Sequence, residues 1–109
     1  MYKIEKTVKV QVIRKLTLDY SSILQLTHCQ QMTITVCCKA EKLNAYGMVF
    51  DPIIIEGTVK NKLDNKNLND IIKGNPTLEQ VADYVQGLIP LCYRVRVDDG
   101  DGNIAEYEK

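Results

Sequence analysis

Residues 2–13 alternate between apolar and polar side chains. Tyr2, Ile4, Val8, Val10 and Val12 fall on one face, and Lys3, Glu5, Thr7, Lys9 and Gln11 on the other, with Lys6 interrupting the apolar row. A period of two sends successive side chains to opposite faces, so the pattern predicts a half-buried strand of an antiparallel sheet. The alternation stops over residues 14–27, which include Asp19-Tyr20-Ser21-Ser22 and read as a loop. It resumes from His28 to Ala40. Met32, Ile34, Val36, Cys38 and Ala40 share a face that also carries His28 and Gln30, and Gln31, Thr33, Thr35, Cys37 and Lys39 lie opposite. A polar segment, Glu41–Gly47, turns the chain towards Met48–Phe50.

The period then changes. Asp51-Pro52 is a helix start, because aspartate accepts from the free N–H groups of a first turn and proline at the first helical position loses no bonded donor. Ile55, Val59 and Leu63 recur every fourth residue as a narrow apolar stripe. Residues 64–76 read as a polar, asparagine-rich loop. Thr77 caps a second helix, with Gln80 three residues later to complete a capping box, and Leu78, Val81, Ala82, Val85 and Leu88 form its apolar face up to Pro90. A third strand follows, with Leu91, Tyr93, Val95 and Val97 alternating with Cys92, Arg94 and Arg96. Asp98–Gly102 turn the chain into a fourth strand over 103–107. The expected fold is α+β: a four-stranded antiparallel sheet with both helices on one face, in the order ββααββ.

Composition narrows the function classes. A chain of 109 residues is a single domain, 1–109, and one of this size buries roughly two-thirds of its unfolded surface, so association with further copies would strengthen it. Lys plus Arg and Asp plus Glu are each 14. Such a balance offers no clustered basic surface, so neither nucleic acid nor an anionic membrane is an expected partner. No apolar run approaches the roughly 20 residues of a membrane span, and the first residues are unlike a signal peptide. Cys29, Cys37, Cys38 and Cys92 have no Cys-x-x-Cys spacing and read as reduced thiols, which places the expected location in the cytoplasm.

Three blocks carry a family resemblance: Gly47-Met48-Val49-Phe50-Asp51, Leu63-Asp64-Asn65-Lys66-Asn67-Leu68-Asn69, and Pro76-Thr77-Leu78-Glu79. In this order they resemble the 6-pyruvoyl-tetrahydropterin synthase and 6-carboxy-tetrahydropterin synthase family across most of residues 28–107. The resemblance implies the tunnelling fold, in which trimers close their sheets into a barrel and two trimers stack. The expected partners are therefore copies of the chain itself, as a trimer or hexamer, and a small heterocyclic ligand.

The same resemblance implies a zinc-dependent lyase site, and the chain departs from it. The family's His-Gly-His segment, whose spacing by two puts both rings on one strand face, aligns with His28-Cys29-Gln30. His28 matches, Gln30 is a poor zinc ligand, and the remaining family histidine would fall near Tyr20, where none exists; His28 is the sole histidine. The family cysteine aligns with the stretch around Ser22. The catalytic Asp-His pair aligns with Asp64-Asn65, so Asp64 keeps its carboxylate and Asn65 cannot transfer a proton near neutral pH. No metal and no other cofactor is therefore expected. The substrate-anchoring end persists: Thr77 and Glu79 match without change, and Asp99 aligns with the family's anchoring glutamate, where a carboxylate accepts parallel N–H bonds from an amino-pyrimidine edge. Asp99-Gly100-Asp101-Gly102-Asn103 lacks the later glutamate of a calcium loop and reads as a hairpin turn. The expected function is binding of a pterin- or purine-like heterocycle without the zinc chemistry. An active lyase with a non-standard zinc site and a ligand-free structural subunit are the alternatives.

Overall fold

The computed structural model describes residues 1–17 and 27–109. In chain order its elements are β1 (Tyr2–Lys15), β2 (Thr27–Ala40), α1 (Pro52–Leu63), β3 (Lys66–Asn67), a 3₁₀ turn (Leu68–Asp70), α2 (Leu78–Gln86), β4 (Cys92–Asp98) and β5 (Ile104–Glu108). The sheet order is β3-β1-β2-β4-β5. β1 and β2 form a long antiparallel hairpin in unbroken register from Tyr2 opposite Ala40 to Lys15 opposite Thr27. β4 adds antiparallel to β2, and β5 to β4.

The expected α+β class and the two helices are present. The even-numbered face of β1 and β2 meets the helices: Val8, Val10, Val12, Met32, Ile34 and Val36 are buried against Ile55, Val59 and Leu63 of α1 and Leu78, Val81, Ala82 and Val85 of α2. Both helix starts follow the sequence logic. Asp51 Oδ1 accepts from Ile53 N–H at 2.9 Å, and Thr77 Oγ1 from Gln80 N–H at 3.2 Å. Only this half of the anticipated capping box is among the described hydrogen bonds. No helix among the described residues is long and apolar enough to cross a membrane.

Four expectations change. The sheet has five strands rather than four, because Lys66–Asn67 pair in parallel with Val12 and Ile13. The segment read as a loop also buries Leu68 completely. β1 runs to Lys15 and β2 begins at Thr27, so Arg14 belongs to the hairpin and not to the loop; Tyr20 and Ser22 lie outside the described residues. α2 stops at Gln86 rather than at Pro90, since Gly87 caps it and Leu88 N–H bonds to the Val85 carbonyl, tightening the last turn. Finally, the alternation of β4 breaks where the register shifts between Cys37 and Cys38. The extra residue turns Cys92 inward opposite Cys38 and leaves Leu91 exposed with φ 65°.

Candidate functional site

The edge of β1 is finished by side chains that imitate a neighbouring strand. Asp64 Oδ1 accepts from Gln11 N–H at 2.8 Å while Asn65 N–H donates to the Gln11 carbonyl at 2.7 Å. Asn69 bonds both backbone groups of Lys15, at 2.8 and 2.9 Å, and Asn75 both groups of Thr17, at 2.8 and 2.7 Å. A carboxylate or amide oxygen and a nearby N–H supply the acceptor and donor that an edge strand presents, so the asparagine-rich segment satisfies backbone groups that would otherwise stay open. Asp64 is engaged in this way. Asn65 sits at φ 59°, a conformation that asparagine tolerates better than most residues. The hollow beside it is lined by Gln11, Val12, Ile13, Cys29 and Asn65 and shares no residue with the groove that holds Glu79.

The segments that carry the anchor residues meet around Arg14, near the end of β1. Four pieces of chain converge there: the end of β1, the start of β2, the start of α2 and the β4–β5 turn. Arg14 and Asp99 are the only buried polar or charged residues among those described, each 6% exposed. The guanidinium uses its donors on three sides. Nε donates to Gln30 Oε1 at 2.7 Å, Nη1 donates to the Pro76 carbonyl at 3.0 Å, and Nη2 lies 3.9 Å from Asp99 Oδ2. Burial draws the Arg14 pKa down, and the charges of Asp99, Asp101 and Glu79 oppose that shift; an arginine so flanked keeps its charge at any ordinary pH.

Asp99 is fully occupied within the fold. Its Oδ1 accepts from the backbone N–H groups of Asp101 (2.8 Å) and Asn103 (3.2 Å), and Oδ2 accepts from Asn103 Nδ2 at 2.9 Å. Gln30 Nε2 reaches Asp101 at 3.4 Å, tying the same turn to β2. Burial alone would raise the Asp99 pKa, but the bonds from Asn103 and Asp101 and the Arg14 charge outweigh it and hold the group below the usual carboxylate range. A depressed folded-state pKa contributes stability that is present above the unfolded value and lost as pH falls through the folded one. Melting profiles against pH are the check. Wild type should exceed Asp99→Asn by a constant margin above about pH 5, and that margin should shrink below about pH 4.

Glu79 has a different setting. It stands exposed in the first turn of α2, where the helix dipole favours a carboxylate. A groove of about 590 Å³ runs beside it, lined by Leu78, Glu79, Gly102, Asn103, Ile104, Ala105 and Glu106. Thr77, Glu79 and Asp99 thus belong to one neighbourhood: Thr77 caps the helix that presents Glu79, and Asp99 holds Asn103, which lines the groove. Sequence reasoning missed Arg14, although it continues the row Val8, Val10, Val12 by one more step of two. A charged residue extending an apolar strand face is the signal that would have found it.

The zinc ligands implied by the resemblance can be tested against this geometry. Gln30, at the position of the second histidine, already gives its amide oxygen to Arg14. Arg14 faces His28 directly across the hairpin. A divalent cation held by residues 28 and 30 would share their face with a fixed positive charge, and its donor set would be one imidazole and one neutral amide. These residues do not fit a zinc ion. The third family position, near Tyr20, lies outside the described residues.

Comparison with known proteins agrees with the fold. The model of the family described as 6-pyruvoyl tetrahydropterin synthase matches residues 3–109. The structure is similar to that of 6-pyruvoyl tetrahydropterin synthase from Caenorhabditis elegans, with a TM-score of 0.75 at 17% identity over 99% of this chain and 95% of that one. It is also similar to an uncharacterized protein from Wolinella succinogenes, with a TM-score of 0.72 at 15% identity over 99% and 98% of the two chains. No curated protein sequence gives a match.

Proposed function

Because the chain belongs to the 6-pyruvoyl tetrahydropterin synthase family, we propose that it binds a pterin- or purine-like heterocycle in an oligomeric barrel, without the family's zinc-dependent lyase chemistry. The observation that carries this reading is the exposed Glu79 carboxylate beside a groove that also presents Asn103 and Glu106. An amino-pyrimidine edge offers two parallel N–H donors, and a carboxylate accepts both at once, in bonds roughly twice as strong as neutral ones. Asn103 adds polar groups on the far wall. Thr77 and Asp99 complete the proposed site from beneath, Thr77 by fixing the helix start and Asp99 by fixing the turn. Asp64 takes an architectural part, since its carboxylate already closes the β1 edge at Gln11.

Assembly is part of the proposal. β5 ends the sheet on its side among the described residues. The outer N–H and C=O groups of an edge strand pair readily with another chain, and Ile104 at its start is about half exposed. A sheet continued from one protomer to the next would bury both.

Fluorescence titration with neopterin tests the ligand reading. Wild type is expected to saturate, and Glu79→Gln, which keeps the shape and removes the charge, to bind about tenfold to a hundredfold more weakly, the loss of one charged hydrogen-bonding partner. Equal affinity in the two proteins would remove Glu79 from the site. No saturable binding by either would favour a structural subunit.

A further inference from the structure

The structure assigns Arg14 a part beyond that of a buried ion pair: we propose that its guanidinium is a built-in cation standing in the place of a metal, and that it orients the anchor segment. Three observations converge on this. Arg14 shares its strand face with residues 28 and 30, the His-x-His positions. Its Nε takes the Gln30 amide oxygen at 2.7 Å, so the side chain aligned with a metal ligand serves the arginine instead. Its other two nitrogens face outward from that contact, one to the Pro76 carbonyl at the head of α2 and one towards Asp99 in the β4–β5 turn.

A metal ion collects lone pairs at short range from several directions. A guanidinium does the same with N–H donors in a fixed planar fork, carries its charge permanently, and needs no loading from solution. The amide at position 30 suits this arrangement, and unlike an imidazole it never takes up a proton that would remove its acceptor beside Arg14. Glutamine offers a carbonyl oxygen to Arg14 and an NH₂ to Asp101, bonds observed at 2.7 and 3.4 Å. A neutral imidazole offers one acceptor and one donor at fixed ring positions, and gains a charge on protonation. Arg14, Gln30 and Asp99 therefore form one substituted unit in which the anchor segment and the turn are held to the β1–β2 hairpin by charge and hydrogen bonds. The inference rests on this geometry and on the alignment of residues 28 and 30 with the family's His-x-His pair, not on ligand binding, so a failed neopterin titration leaves it intact.

Two measurements decide it. In ¹H–¹⁵N spectra of the wild-type protein, the Arg14 Nε–H signal should be resolved and slow to exchange, and should be unmoved by equimolar Co²⁺. Loss of that signal together with cobalt ligand-field bands in wild type would overturn the proposal, as would exchange at the rate of a free arginine. The second measurement isolates the charge. Gln30→His restores a His-x-His pair with His28, and Co²⁺ should bind Gln30→His/Arg14→Gln at least about tenfold more tightly than Gln30→His alone, because only the former has lost the nearby positive charge. Equal cobalt affinity of the two variants, both folded by circular dichroism, would show that Arg14 does not hold the place of the cation.

Discussion

Replacing Arg14 by leucine is expected to lower the unfolding free energy by about 3 kcal/mol, the cost of removing one partner from a buried ion pair. The substitution keeps an apolar stem in the β1 face and deletes every donor of the guanidinium. Asp99 then remains buried beside no positive charge, and the Gln30 amide oxygen and the Pro76 carbonyl lose their partners. Each orphaned acceptor adds a desolvation penalty, whereas the intact pair contributes much less than this cost of breaking it. Arg96→Leu is the control: Arg96 is exposed, so its loss should change stability by no more than about 0.5 kcal/mol. Urea denaturation of the two variants measures the difference, and parallel slopes would show that the denatured state is unchanged.

Ile34→Ala should cost about 4 kcal/mol, from lost burial and the cavity left behind. Ile34 is fully buried on β2, the central strand, and pairs in register with Val8 on one side and Val97 on the other. Neighbours on a central strand are fixed by ladders along both edges, so the site has little freedom to collapse. Ile53→Ala makes the same chemical change at the start of α1, where the side chain is 76% exposed, and should leave stability within about 0.5 kcal/mol of wild type. Thermal or urea unfolding of this pair separates burial from composition.

Much of this architecture is legible in the sequence because its signals are local. The even-numbered residues of β1 and β2 fall inward as their alternation predicts, and Asp51 and Thr77 cap the two helices. What stays hidden depends on partners distant in the chain. Lys66–Asn67 have no strand pattern of their own and become a strand because β1 offers them an edge. Cys92 turns inward because β2 and β4 slip by a residue at Cys37 and Cys38, and Leu91, expected on the inner face, is exposed. The candidate site divides in the same way. Thr77 and Glu79 could be named from a motif at a helix start. Arg14 shows in the sequence only as a charge that extends an apolar row, and its part becomes plain once Gln30, Pro76 and Asp99 are seen to surround it. Asp64 keeps the aspartate of a family catalytic pair whose histidine is Asn65 here, and in the fold its carboxylate and the Asn65 N–H bond to the backbone of Gln11.

Whether the groove beside Glu79 takes a heterocycle without a metal, as proposed, is tested most directly by calorimetric titration of chelator-stripped protein with neopterin, repeated with added zinc. Saturable binding with the same affinity in the two titrations is the predicted result. Binding that appears only with zinc, at about one ion per chain, would contradict it.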